Sequence, residues 1–188
     1  MNRKGYVIFV LCLIMVVSAM ILSGCGDNEE PNGDVITTIP VKLYYVNEEY
    51  VTTGDETLPE LLMAESSLQF SENENDNQYL ALMGALREVP SEGMSTMITG
   101  DIRFIDIAVS KDDPEIIVVN LDSNGLSGGS LGEGLFIKQV VYTLLENGVM
   151  LKSDLNEEEF TKVQFLVDGK VAESLMGHID ASEPFTKQ

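Results

Sequence analysis

Chemistry in a protein starts from side chains that hold a proton, a metal or a nucleophile, and this chain has few of them. Its 188 residues include one histidine, His178, and two cysteines, Cys12 and Cys25. No nucleophile stands at a recognisable spacing from His178, so it reads as a surface or strand-end residue and not as a general base. One histidine without a cysteine set cannot build a zinc-type site. Gly128, Gly129, Gly132 and Gly134 cluster ahead of an expected helix, a place where backbone amides can cradle a phosphate. No Gly-Lys-Ser/Thr follows, the spacing departs from a dinucleotide fingerprint, and Glu133 would repel the anion. These glycines read as a flexible loop before a capped helix. The acid clusters Glu72, Glu74, Asp76 and Glu157, Glu158, Glu159 lack the D-x-[DN]-x-[DN]-G order of a calcium loop and read as solvated faces. Carboxylate pairs of the kind glycosidases use are expected by chance among 31 acidic residues. Tyr44, Tyr45 and Tyr50 form a binding patch if exposed and ordinary strand aromatics if half-buried, and both readings stand. No catalytic residue, metal site or cofactor is expected.

The residue whose surroundings do specify chemistry is Cys25. Arg3 and Lys4 precede an almost unbroken apolar run from Tyr6 to Leu22, and Leu22-Ser23-Gly24-Cys25 follows at once. That order is a secretory signal ending in a sequence that resembles the bacterial lipobox, whose cysteine becomes the lipid-modified N-terminus. An uncleaved signal anchor is the competing reading, because the apolar run is long for a signal peptide. We read residues 1–24 as a lipoprotein signal peptide. Cys12 leaves with it, and Cys25, acylated, is then unable to form a disulfide.

Cleavage of 24 residues from 188 leaves 164, about one domain. It removes two of the 11 basic residues and none of the 31 acidic ones, so the net charge moves from −20 to −22. Such a surface repels nucleic acid and anionic headgroups, which leaves the lipid to hold the protein at the membrane. An apolar fraction of 44% argues for a packed core in spite of the acidity. Residues 26–40 mix acid, glycine and proline without an apolar period, and with Cys25 they read as a lipidated tether, 25–40.

The elements follow from periodicity. Val41–Val46 and Leu61–Phe70 read as strands. Asp76 or Asn77 caps a helix running to about Val89, with Tyr79, Leu82, Met83 and Leu86 at helical spacing and Pro90 as its stop. Ile105, Ile107 and Val109 alternate in a strand, Lys111 to Pro114 turns, and Ile116–Leu121 returns. A second helix begins at Ser130, where Ser130 and Glu133 have capping-box spacing. Its stripes are Phe136, Val140, Leu144 and Ile137, Val141, Leu145, and Asn147-Gly148 suits its end through a left-handed glycine. Val163, Phe165 and Val167 alternate up to Asp168-Gly169, which supplies the positive φ angles of a two-residue hairpin. The order β-β-α-β-β-α-β-β predicts an α+β fold with two helices packed on one face of a sheet.

The runs QVVYTLL, VQFLVDGK and DASEP, with LMGALREVPSEGM earlier, resemble the GerMN domain of spore-germination and sporulation proteins. The resemblance spans about Val41 to Pro184 and implies a single non-enzymatic α/β module, similar to the ring-building modules of sporulation assemblies and often carried by lipoproteins. It brings no catalytic residues. Some members carry two copies, and no second copy repeats here; the connector Gly148–Phe160 is longer than usual, and the loop before the second helix is richer in glycine. The expected organisation is a signal peptide (1–24), a tether (25–40), one GerMN-like domain (41–185) and a short tail (186–188).

Two functions are compatible with this reading. One is an interaction module on the extracytoplasmic face of the cell membrane, anchored through its N-terminal lipid. It would bind an envelope protein or itself, with Glu157, Glu158 and Glu159 as a candidate surface and no role for nucleic acid. The other is a small-ligand or peptidoglycan-associated binding lipoprotein. Both depend on the anchor. Cys25→Ser is expected to abolish incorporation of radiolabelled fatty acid and leave unprocessed precursor in the membrane; normal labelling would refute the lipobox.

Overall fold

A run of β-branched and aromatic residues opens the fold. Ile36–Asn47 forms strand β1, with Val41, Leu43 and Tyr45 buried on one face. The computed structural model describes residues 36–71, 77–148 and 160–187, all in the unit Val35–Gln188. Strand β1 begins five residues ahead of the expected Val41, and Ile36–Pro40, read above as tether, pairs with Ser67–Ser71. The proline is tolerated for a geometric reason. The amides of Lys42 and Tyr44, in phase with Pro40, point away from the neighbouring strand toward a helix, so the missing N–H breaks no ladder bond.

Asn47 ends β1 and caps helix α1 (Glu48–Thr53), its carboxamide oxygen accepting from the Glu49 amide at 3.1 Å. Strand β2 (Leu61–Ser71) returns antiparallel along β1. Asn77 caps helix α2 (Gln78–Ala85), accepting from the Leu80 amide at 3.1 Å. This helix stops short of the expected Val89. Leu86 closes it, and the guanidinium of Arg87 turns to the carbonyls of Thr99 and Ile102, each at 2.6 Å. Strand β3 (Met94–Ser95) pairs with the end of β1.

Strands β4 (Phe104–Val109) and β5 (Ile116–Leu121) are antiparallel, with a bulge between Phe104 and Asp106. The bulge breaks the expected alternation: Ile107 is buried, Ile105 is 48% exposed, and Phe104 takes the inward place against Phe136. Helix α3 (Ser130–Asn147) leads to β6 (Lys162–Val167) and β7 (Lys170–Val171). The hairpin turn is as expected, with φ of 50° at Asp168 and 78° at Gly169. Gly148 is not left-handed; its φ is −55°, and a β-carbon there would lie 2.5 Å from the Phe160 ring. Close approach, and not backbone conformation, calls for glycine.

The α+β class and the strand-pair and helix order of the sequence reading hold, with α1 and β3 as additions. The single sheet is divided in two. One sheet has the order β2-β1-β3, and the other β4-β5-β6-β7. Strands β5 and β6 are parallel, so β5-α3-β6 is one βαβ unit within an otherwise antiparallel arrangement. Helix α3 packs on β1 of the first sheet and β6 of the second, while α2 packs on β2 and β4. The core runs through the ring chain Phe104, Phe136, Phe165 and Phe185, with centroids 6.5, 6.4 and 5.7 Å apart. Phe185 also exchanges both backbone hydrogen bonds with Val163 at 2.8 Å, and Lys187 in the expected tail pairs with Glu146.

Val140 and Phe165 are fully buried, so Val140→Asp or Phe165→Asp is expected to unfold the protein: an unpaired buried charge costs several kcal/mol, comparable with the whole stability of a domain this size. Gln164→Asp loses only the bonds from its amide to the carbonyls of Phe165 and Ala181, at 3.2 Å each, and costs about 1 kcal/mol. Urea melts of the three variants check the difference.

Candidate functional site

Among the described residues four of the five buried polar side chains lie on α3, and their spacing explains why a helix that must bury its face carries them. Gln139, Thr143 and Asn147 recur every four residues, so they form one line along the helix. That line meets the edge of β1 not taken by β2. Asn147 accepts from the Lys42 amide at 2.9 Å and donates to the Lys42 carbonyl at 2.7 Å. Thr143 accepts from the Tyr44 amide at 3.2 Å, and Gln139 accepts from the Met97 amide at 2.9 Å. The side chains of α3 replace a neighbouring strand, and among the described residues no buried side-chain polar atom lacks a partner. This line was visible in the sequence as i, i+4, i+8 polar residues inside an apolar helix.

Glu133 is the fourth, and it does not form the expected capping box. Gly129 caps α3 without any side-chain bond. The Glu133 carboxylate is fully buried and turns to the segment after β7. One oxygen accepts from the Ser174 hydroxyl and the Leu175 and Met176 amides, all at 2.9 Å. The other accepts from the amides of His178 at 2.8 Å and Ile179 at 3.2 Å. Burial pushes this carboxyl up, but the bonds from Met176, Ser174, His178 and Leu175 together outweigh burial and hold it below the ordinary glutamate value. With both oxygens saturated by donors, it is unsuited to general-base or metal-ligand chemistry. The first turn of α3 thus carries a negative charge of the protein's own, which disfavours a bound phosphate there. His178 closes the same loop, its Nε2 lying 3.0 Å from the Gly128 carbonyl.

The remaining candidates fall apart in space or outside the described residues. Leu22, Ser23, Gly24, Cys25, the cluster Glu72, Glu74, Asp76 and the cluster Glu157, Glu158, Glu159 all lie outside them. Among the described residues no group of three histidine, cysteine, aspartate or glutamate side chains could hold a metal. The three tyrosines separate: Tyr45 is buried with its hydroxyl on the carbonyls of Ala85 and Glu88, Tyr44 packs edge-on against Tyr142, and Tyr50 reaches Glu60 at 3.4 Å. Two surface features among the described residues bear on binding. An apolar groove lies between α3 and the C-terminal segment, lined by Ile137, Val141, Tyr142, Ile179 and Phe185, with Lys138 on its wall. The second is the outer edge of β2 and the hollow that α2 walls beside it.

The Glu133 loop clamp sets a pH dependence. A carboxyl whose folded-state pKa is depressed stabilises the fold fully above its unfolded-state value, roughly 4.3, and loses that contribution as pH falls through the lower folded value. Glu133→Gln is expected to melt lower than the parent at pH 7, with the gap narrowing below about pH 4. Glu133→Ala, which strands several buried donors, should lose more than about 3 kcal/mol. Thermal melts from pH 3 to 7 check both.

The model of one family, described as sporulation and spore germination and named Germane, matches residues 42–173. No curated protein sequence matches the chain. The first GerMN domain of the sporulation protein GerM from Bacillus subtilis is similar in fold, at 12% identity and a TM-score of 0.53 over 79% of this chain and 98% of that domain. The tandem GerMN domains of the same protein align at 17% identity and 0.49 over 87% of this chain, which spans about half, 48%, of the tandem. A candidate lipoprotein of Clostridium perfringens aligns at 19% identity and 0.47, over 82% of this chain and 91% of that one. Residues 42–173, from the second half of β1 to just past β7, carry the family match, and the chain belongs to the Germane family of sporulation and spore-germination domains.

Proposed function

We propose that this protein is a lipid-anchored, non-enzymatic interaction module on the extracytoplasmic face of the cell membrane, acting in sporulation or germination by holding an envelope protein. The observation that carries the reading is the contrast between interior and edge. The buried polar side chains of α3 are used by internal bonds, whereas the 11-residue strand β2 has no neighbour along one edge among the described residues. A domain built this way acts by contact. Leu22-Ser23-Gly24-Cys25 supports the anchor, and membership of the Germane family supports the cellular setting. No helix among the described residues is long and apolar enough to cross a membrane. Tethering at the surface raises the effective concentration of a module toward its neighbours, so weak contacts suffice. The apolar groove beside α3 favours a second reading, in which a small ligand or a peptidoglycan fragment occupies it.

In-cell crosslinking of the full-length protein is expected to capture one or a few envelope proteins. Charge reversal of Glu157, Glu158 and Glu159 should weaken that capture with little change in melting temperature, as a basic partner docking there requires. No specific capture together with saturable binding of a muropeptide would favour the groove reading. Substrate turnover by the pure protein would end both.

A further inference from the structure

The two edges of the first sheet are treated differently. Asn147 and Thr143 close the free edge of β1, as described above, but nothing among the described residues closes β2. The register fixes which groups are exposed. Val41, Leu43 and Tyr45 bond toward β2 and face Ser66, Ala64 and Leu62, so those even-numbered residues of β2 bond back to β1. The odd-numbered residues Met63, Glu65, Ser67 and Gln69 therefore aim their N–H and C=O groups outward, and all four are exposed. Folded proteins usually blunt such an edge with lysine, proline or a bulge. Here LLMAESSLQFS has neither residue, and its pairing with β1 runs without a shift from Leu61 to Ser71.

Beside this edge, on the core-facing side, lies the hollow walled by Leu68 and the small residues Ala81, Gly84 and Ala85, with Glu88 on its lining; the Glu65 side chain, opposite Lys42 in the register, projects from the other face of the sheet. A β-carbon at Gly84 would meet nothing within 4 Å, so the space over the helix is open. The wall is fixed in place. The Tyr45 hydroxyl donates to the Glu88 carbonyl at 2.9 Å and lies 3.2 Å from that of Ala85. Neither Glu65 nor Glu88 has a cationic partner among the described residues. An open edge with a pocket for alternate side chains is the geometry by which a sheet accepts an added strand. Carboxylates on both sides of the edge, Glu88 at the hollow and Glu65 on the other face, in a chain of net charge −20 select a basic strand and disfavour a second copy.

We infer that the β2 edge is the docking site for an extended, basic segment of a partner protein, which adds to the sheet as a fourth strand with lysine or arginine stems over Gly84 and Ala85. This deepens the interaction reading above and rests on it. The test uses the full-length chain in mild detergent and a nine-residue peptide alternating valine and lysine. The controls are a version with glutamate for lysine and a version with an N-methylated backbone. Residue-resolved amide exchange is expected to show Met63, Glu65, Ser67 and Gln69 exchanging freely in the unliganded chain. The lysine peptide should bind saturably and slow all four at least tenfold, while both controls fail. Ser67→Pro removes one outward amide, and Gly84→Leu fills the hollow at a position with room for a side chain. Each should weaken binding at least tenfold and leave the melting temperature within about 2 °C of the parent. Protection of the four amides in the unliganded chain, equal binding of the glutamate peptide, or undiminished binding by both variants would overturn the site. Crosslinked envelope protein without peptide protection would overturn the edge alone and leave the module reading intact; failure of both would remove both.

Discussion

Helix α3 satisfies backbone groups that it does not own, and the arrangement of the fold depends on that. Its Asn147 and Thr143 complete the hydrogen bonding of β1, Gln139 holds the backbone at Met97, and Glu133 gathers five donors, four of them amides, from the segment 174–179. Apolar burial of Phe136, Val140 and Leu144 brings the helix onto the sheets but does not choose its rotation, because hydrophobic contact is not directional. The polar line makes the choice. Any other rotation would leave buried donors and acceptors unpaired, at a cost exceeding that of losing the contacts themselves. Two sheets that do not pair with one another among the described residues are joined by this helix and by α2, and α3 makes the polar part of the joint.

Much of the architecture was legible in the sequence, and the reasons differ from element to element. Asp168-Gly169 could be read because few residue pairs accept two positive φ angles, so local chemistry fixes the turn. The stripes of α3 could be read because a helical period survives over 18 residues. Ser130 and Glu133 misled for the opposite reason. Capping-box spacing is short-range, and the amides that won Glu133 lie more than 40 residues away. The bulge that turns Ile105 outward and Phe104 inward leaves no local signature, since β-branched alternation looks the same with or without it. Pro40 argued for a linker until the phase of the β1 amides was known.

The site candidates divide along the same line. The sequence showed that His178 has no catalytic company and that the glycines before α3 lack a nucleotide fingerprint. It did not show that His178 holds the Gly128 carbonyl, nor that the first turn of α3 already has a negative charge facing 174–179. Edges are likewise invisible before the strand order is known, because LLMAESSLQFS carries no mark of being outermost. The spacing of Gln139, Thr143 and Asn147, by contrast, is a local signal that the sequence carries in full.

The replacement of a strand by α3 also limits how the family can vary in length. Four residues of helix advance about 6 Å, and two residues of strand about 6.7 Å, so helix side chains match strand amides for only a couple of rungs. Asn147 on Lys42 and Thr143 on Tyr44 are those rungs; beyond them β3 takes over beside Val46. Glu133 is committed at the other end of the same rigid rod. A one-residue insertion between Glu133 and Thr143 would swing one end by about 100° relative to the other, so both sets of bonds could not be kept together. Insertions and deletions among relatives should therefore accumulate outside residues 133–147.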